Sequence, residues 1–520
     1  MPESSHQPTR AASARRPGSA AVFGTSPATE EPAGGILLRM PEPNRSESRR
    51  VESVDYLVSG TAITCDDQRR VLHDGAVAVR GSQIVAVGER KDLESRFAPD
   101  RRLGGRRAFI LPGLIDCHSH LAQALVRSLI AHELPMIYRL YLPAEDAMTL
   151  DQVGVSARLC MAQLLRSGVT TVSETTATPA HEDAIVAAVE ETGMRVVMAR
   201  GAADQDSHHA GAYSQITGRS WASPRPGEAA SDLDRTSQFL DRHPPAGDQL
   251  LRGAVLASHI TGFSADYIQA AAALAADRGA SFQIHVCRDR EEVEFSLAVY
   301  GRRPVEQLAH WGVLSERLLA IHAILVTDRE AGLLAEAGAS VAHSPVECQN
   351  ILNGVPRVQR LRERGIAVGL GCDNAINDMW EVMRAAWLIH STMGAIPDYD
   401  PEHLRAGDIL DMATAEAARA LRWHGGIGSI AAGKQADLVV VDGDSAHLTP
   451  VHDPVTELIR YGTRADVRDV MVSGRLLLDA GVHTTIDTER LFAEAEEAAP
   501  SLAAAVTPRR YRPLFASPSD

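Results

Sequence analysis

Lysine is nearly absent from this chain: Lys91 and Lys434 are the only two, and arginine supplies the rest of its 52 basic side chains. Positive charge is scarce overall. Against 67 acidic residues the net charge is −15 at pH 7, which argues against a nucleic-acid or anionic-membrane surface. Cysteine is sparse, and Cys65, Cys117, Cys160, Cys287, Cys348 and Cys372 form no CxxC pair. Neither a disulfide framework nor a zinc ribbon is indicated, and reduced thiols of a cytoplasmic protein are expected. No run of about 18 apolar residues exists, so no membrane-spanning helix is expected. Arg15-Arg16 has no apolar stretch behind it and does not read as a twin-arginine signal.

Several catalytic signatures are missing as well. There is no His-x-Glu with Pro-Cys-x-x-Cys, and His132-Glu-Leu-Pro-Met fails as HExxH. No Gly-x-Ser-x-Gly elbow, phosphate-binding P-loop or full GxGxxG is present. The composition is ordinary for a soluble, core-forming protein, and 520 residues suffice for two or three domains or for one large barrel with additions.

Residues 1–50, rich in Ser, Pro, Ala and Arg, read as a disordered tail. Short Val- and Ile-rich strands follow at Val54–Val58, Ala76–Arg80 and Ile84–Val87, and similar ones return at Ala436–Asp442 and Val467–Leu478. The two stretches, 51–109 and 427–485, are expected to form a small β-sandwich from both chain ends. A helix and tail are expected over 486–520. Between them, over 110–426, apolar runs alternate with amphipathic stretches. Strands are expected at Ala108–Ile115, Thr170–Ser173, Arg195–Ala199, Gly253–Ala257, Phe282–Val286, Leu319–Ala323, Ser340–Ala342 and Ala367–Leu370. Leu150–Ser167 reads as a helix, capped by Thr149 and stopped by Gly168. Eight strand–helix units indicate an α/β fold of the distorted (β/α)8 TIM-barrel type, with a doubly wound sheet as the alternative. The Gly/Ser/Pro-rich segment 204–232 would follow the third strand, on the substrate side, as a lid or specificity loop.

The strongest local signal is Leu-Pro-Gly-Leu-Ile-Asp-Cys-His-Ser-His, residues 111–120. In a strand, positions i and i+2 share a face, so His118 and His120 can converge on one ion. Two surface histidines at a strand end would give the same pattern. His285, His322 and Asp373 each follow an apolar run in the same way. Taken singly, each reads as a core histidine or a capping aspartate. Together they would ring one barrel mouth.

These residues resemble the amidohydrolase superfamily, in the branch of cytosine, S-adenosylhomocysteine and triazine deaminases and hydrolases. Supporting stretches are Ser-Gly-Val-Thr-Thr-Val (167–172), Tyr-Gly-Arg-Arg-Pro-Val-Glu (300–306), Val-Ala-His-Ser-Pro (341–345), Val-Gly-Leu-Gly-Cys-Asp-Asn (368–374) and Ile-Gly-Ser-Ile-Ala-Ala-Gly-Lys-Gln-Ala-Asp-Leu-Val-Val (427–440). The resemblance implies a mononuclear site of His118, His120, His285 and Asp373, holding one divalent ion, zinc first and iron or manganese otherwise. Asp373 would act as general base and His322 would polarise the forming oxyanion. Binuclear relatives use a carbamylated lysine inside the barrel, and Lys91 and Lys434 both lie outside that segment. The implied reaction is hydrolytic deamination of an N-heterocycle. Removal of chloride or an alkylamine from a triazine-like ring is the alternative, and a metal-binding homologue without turnover is a third reading. Relatives form dimers or tetramers, so a homo-oligomer is implied.

One position departs from that pattern. Deaminases of this branch carry His-x-x-Glu after the fifth strand, and this chain reads His285-Val-Cys-Arg288. Arginine stays protonated and cannot shuttle a proton. Arg288 is therefore a candidate ligand for an anionic substrate group, or it pairs with Asp289 or Glu291. Glu347-Cys348 stands where relatives show Ser-Asn, which makes Glu347 a candidate replacement acid. Glu145, in Leu-Pro-Ala-Glu, and His343, ending the seventh strand, are candidate substrate-side residues, with structural roles as the alternative for both.

Overall fold

The computed structural model describes residues 51–127, 129, 140–176, 178–202, 204, 228–351, 353–374, 376–395 and 403–506. The tail expected over 1–50, most of the loop expected over 204–232 and the chain after 506 lie outside the described residues. The end of that loop segment opens a helix, Glu228–Arg242.

Among the described residues sixteen strands divide between two sheets. The first four are β1 (Glu52–Ile63), β2 (Val71–Arg80), β3 (Gln83–Glu89) and β4 (Phe97–Pro112). Eight more follow: β5 (Leu114–Ser119), β6 (Val169–Thr176), β7 (Arg195–Arg200), β8 (Leu251–His259), β9 (Phe282–Val286), β10 (Leu318–His322), β11 (Ser340–His343) and β12 (Val368–Leu370). The last are β13 (Leu438–Asp442), β14 (Val467–Val472), β15 (Arg475–Asp479) and β16 (Val482–His483).

Both chain ends build one mixed sheet, ordered β16-β15-β14-β13-β4-β1-β2-β3. β4 joins the two ends. It runs parallel to β1, and its last residues pair antiparallel with β13, Pro112 opposite Leu438 and Ala108 opposite Asp442. The sheet folds over, so that Val58, Val77 and Val79 from one half share a core with Val440 and Met471 from the other. The stretch Val467–Leu478 is a hairpin. Ser473 and Gly474 between its strands both have positive φ, 48° and 74°, as a type I′ turn requires.

β5 to β12 form a parallel sheet in strict chain order. Asp373, just past β12, donates its N–H to the carbonyl of His118 in β5 at 2.8 Å, and Ser119 and Asp373 form a parallel bridge. The sheet therefore comes round nearly to closure, and the barrel is the fold rather than the doubly wound alternative. The expected strand Ala108–Ile115 is two strands in different sheets, separated at Gly113. A Cβ there would lie 2.0 Å from Thr170 Oγ1, so the chain can cross between the sheets only at glycine.

Helix Leu150–Arg166 follows β5. Thr149 Oγ1 accepts the Gln152 N–H at 3.3 Å and Gln152 Oε1 accepts the Thr149 N–H at 3.0 Å, closing a capping box. Its inner face buries Leu164 and Leu165. The C-terminal helix runs Thr488–Val506. Among the described residues no helix is long and apolar enough to cross a membrane, and all six cysteines are buried free thiols.

Candidate active site

In a parallel barrel all strand C-termini open on one mouth. His118 is next to last in β5 and His120 follows it, His285 is next to last in β9, and His322 ends β10. Register sets His285 opposite Ile321 of β10 and His259 of β8. Asp116 ties the first strand to the last: its Oδ1 accepts the N–H groups of His118 at 3.1 Å and Cys372 at 3.0 Å. Gly371 packs its backbone against His118, where a Cβ would meet the His118 carbonyl oxygen at 3.1 Å. Four non-glycine residues at these strand ends have left-handed backbones: Cys287 (φ 51°), His322 (φ 73°), Ala323 (φ 49°) and Asp373 (φ 57°). Such conformations cost about 1 kcal/mol or more each and gather where a site dictates side-chain direction.

The side chains converge. Ring centroids of His118 lie 4.9 Å from His120, 4.9 Å from His285 and 5.4 Å from His322. Asp373 faces three of the rings: Oδ2 is 3.5 Å from His118 Nε2 and 3.8 Å from His322 Nε2, and Oδ1 is 3.6 Å from His120 Nε2. A charged hydrogen bond would be shorter, about 2.7–2.9 Å. Two ligands of one zinc ion, each about 2.1 Å from it at tetrahedral angles, sit about 3.4 Å apart. His118 Nε2 is buried and has no hydrogen-bond partner among the described residues. The opposite ring nitrogens are held: His118 Nδ1 lies 3.0 Å from Thr175 Oγ1, and His285 Nδ1 donates to the Ser258 carbonyl at 2.7 Å. This is how metal-ligating imidazoles are oriented, with Nε2 left for the ion.

Protonation agrees with that use. Burial pushes His120 down to about 4 and His322 down to about 3, and it holds His285 well below the ordinary histidine value. Neutral imidazoles are the ligating form. Burial alone would raise the Asp373 carboxyl, but the rings of His118, His322 and His120 outweigh it and hold the group well below the carboxylate range. Two sets of donors lie within 4.8 Å of one another, His118/His285/His322 and His118/His120/Asp373. Imidazole and carboxylate donors with one orphaned nitrogen fit a divalent ion of the zinc type.

Beside this cluster lies a small cavity of about 80 Å³ that opens to solvent. His120, His285, His322 and Asp373 form its base, and Gln123, Tyr141, Glu145, Arg288, Glu347 and Asn374 are in its walls. A hydrogen-bonded chain runs along one wall: Asn374 Nδ2 donates to Gln123 Oε1 (2.9 Å), Gln123 Nε2 to Glu145 Oε1 (2.5 Å), and Thr178 Oγ1 to Glu145 Oε2 (2.9 Å). Arg288 is buried, and its Nε donates to Asp289 Oδ2 at 2.7 Å. That is the pairing alternative to an anion fork. Beneath it Glu292 accepts the Cys287 and Arg288 N–H groups at 3.1 and 2.9 Å. His343 does end the seventh barrel strand, but it is not in the cavity wall. Its Nε2 lies 3.0 Å from His390 Nε2. Thr175, Asp116, Gln123 and Asn374 were not singled out from the sequence. The one signal for Thr175 was a run of polar residues, Ser-Glu-Thr-Thr, closing an apolar strand.

Residues 109–477 match the model of the amidohydrolase family. The chain belongs to that family. This amidohydrolase is therefore a metal-dependent hydrolase built on the family's barrel. It is 30% identical over 453 residues to the 5-methylthioadenosine/S-adenosylhomocysteine deaminase of Pelotomaculum thermopropionicum, covering 86% of this chain and 98% of that one. It is 32% identical over 451 residues to the enzyme of the same name from Nitratidesulfovibrio vulgaris, covering 85% and 96%. Among solved structures, it resembles an adenosine deaminase from Xanthomonas campestris with bound zinc (TM-score 0.79, 27% identity, 87% of this chain and 100% of that one). It also resembles the zinc complex of atrazine chlorohydrolase from Arthrobacter aurescens (TM-score 0.76, 26% identity, 86% and 100%).

Proposed function

We propose that this amidohydrolase deaminates the 6-amino group of an adenine nucleoside or a close purine relative, with His118, His120, His285 and Asp373 holding one zinc ion. The observation that carries the reading is the convergence of these four side chains, with His118 Nε2 buried, 3.5 Å from Asp373 Oδ2 and without a hydrogen-bond partner among the described residues. The names of the deaminase relatives support the purine class, and two zinc-bound structural neighbours support the metal.

An ion held there would supply the acidification of a bound water. Everything else is the work of the chain. Asp373 is ionised at neutral pH, so a carboxylate oxygen can take the water proton. His322 is neutral, and its Nδ1 lies 3.9 Å from the Cys348 thiol. With the Cys348 S–H donated to Nδ1, the Nε2–H faces the cavity and can stabilise the oxygen as charge develops on it. Glu145, fixed by Gln123 and Thr178, stands on the wall where a sugar or ring edge would lie. Arg288 keeps its charge and its Asp289 partner, so it moves no proton in this scheme.

The test is product analysis on zinc-loaded protein given adenosine, 5′-methylthioadenosine and a chlorinated triazine in parallel. Ammonium release from the purines, with one zinc per chain, is the expected result. Chloride or alkylamine release from the triazine without ammonium from any purine overturns the deaminase reading and favours the triazine alternative.

A further inference from the structure

Deamination needs a second acid. When water adds to the amino-bearing carbon, the electron pair of the C=N bond moves onto the ring nitrogen, which must be protonated for the adduct to be stable. The position that supplies this acid in the sequence pattern holds Arg288, whose guanidinium does not release a proton. Among the described residues the carboxyl groups around the cavity are few. Asp373 takes the water proton. Glu145 has both oxygens occupied, by Gln123 Nε2 and by Thr178 Oγ1. Glu292 lies outside the cavity wall with two backbone N–H groups on its oxygens. Glu347 remains.

Glu347 opens from the helix Pro345–Asn350, directly after β11, and is 2% exposed. Its side chain is in the cavity wall with His322 and Asp373. Its Oε2 accepts the Asn350 Nδ2–H at 3.2 Å, while Oε1 is buried with no partner among the described residues. In the acid form this oxygen is a buried O–H donor without a partner, and the lone pair of a bound ring nitrogen would accept its hydrogen bond. The next residue, Cys348, is the one whose thiol reaches His322 Nδ1, so Glu347 and the oxyanion-stabilising ring are positioned by the same short helix.

We infer that Glu347 is a catalytic residue that gives its Oε1 proton to the ring nitrogen as water adds and takes a proton back as the amine leaves. The inference rests on the deaminase reading above. In the first half, the water O–H breaks with its proton going to Asp373, the C–O bond forms, and the Glu347 proton moves to the ring nitrogen. In the second half, Asp373 returns its proton to the amino group and the C–N bond breaks with its pair to nitrogen. The adduct's hydroxyl proton passes to the Glu347 carboxylate. Ammonia and the ring carbonyl are formed, Asp373 is again a carboxylate and Glu347 is again the acid. Glu347 is buried, and burial favours the neutral, protonated form of a carboxyl.

The test compares wild type with Glu347→Gln, which keeps the Asn350 contact and loses the transferable proton. The expected result is a fall in kcat of about 100-fold or more with little change in KM, as for loss of a general acid. Zinc content and calorimetric binding of the unreactive product inosine stay at wild-type values. Activity of Glu347→Gln equal to wild type overturns the proposal. A second pair, Glu347→Asp and Glu347→Asn, differs only in the acid, and equal rates within it overturn the proposal even if the Gln variant fails to fold. Wild-type protein that releases no ammonium from any purine overturns the deaminase reading itself.

Discussion

Thr175→Val removes one hydroxyl from the support of the metal cluster and leaves side-chain volume nearly unchanged. Thr175 is buried, and its Oγ1 lies 3.0 Å from His118 Nδ1. When His118 Nε2 ligates an ion, Nδ1 must carry the proton, so Thr175 is then an obligatory acceptor. In the metal-free protein the ring is free to change tautomer, and the hydroxyl matters less. The loss therefore falls on affinity rather than on folding. Its size follows from two independent arguments. A buried donor left unpaired costs about 1–3 kcal/mol. Partners of this kind are worth about 10–100-fold in metal affinity, or about 1.4–2.7 kcal/mol. The Thr175 backbone, which hydrogen-bonds the His120 ring, is unaffected by the change. The assay is competition of metal-free protein against a chromophoric zinc chelator, with urea unfolding of the metal-free form alongside. Zinc Kd is expected to rise by about 10–100-fold, and Thr175→Ser, which keeps the hydroxyl, should stay near wild type. An unchanged Kd, or an equal loss of stability in the metal-free form, would refute the reasoning.

Two further outcomes concern the scaffold. Arg195 is fully buried beneath the barrel, with Nε 2.6 Å from Asp437 Oδ2 and Nη2 3.1 Å from Gln435 Oε1, joining β7 to the start of β13. Arg195→Met leaves the buried Asp437 carboxylate without its cation, and urea unfolding should show a loss of about 3–5 kcal/mol; a loss below about 1 kcal/mol would mean that the pair is not a structural tie. His390 is pushed down to about 4 by burial and then by nearby His403, against about 6.5 in an unfolded chain. The unfolded chain then binds more protons between those values, so the His390 share of stability is complete above about pH 6.5 and is lost as pH falls toward 4. That share is at most about 3 kcal/mol between pH 6.5 and 4.5, and His390→Gln should flatten the pH dependence of the unfolding midpoint; a slope identical to wild type would exclude it.

The barrel was legible because parallel strands are buried on both faces and read as short apolar runs. All eight runs mark a real strand. The same rule produced the one fused element. Phe109 to Ile115 is a single apolar run because both the mixed sheet and the barrel bury it, and hydropathy has no sign for the passage from one to the other. The break lies in the contact of Gly113 with Thr170, 57 residues away in sequence. The cluster was legible for a related reason. His118, His120, His285, His322 and Asp373 each end an apolar run, and a polar residue with ligating chemistry at a buried strand end has few purely structural uses.

What the sequence did not disclose is which polar groups are already satisfied. Arg288 reads equally well as an anion fork or as a partner of Asp289, and the fold shows its Nε donating to Asp289. Glu145 and Glu347 are both single acids in loosely matching motifs, with nothing in spacing to separate them. In the fold, Glu145 has hydrogen bonds from residues 22 and 33 positions away and is held as wall. Among the described residues Glu347 has one local hydrogen-bond partner, Asn350, and its Oε1 is buried without one. A satisfied acid orients; an unsatisfied buried one is poised to exchange a proton with whatever enters the cavity. That difference is a property of the completed hydrogen-bond network. It explains why replacing the usual strand-end glutamate by Arg288 need not disable the enzyme, provided that the lost acid function has moved to the helix after β11.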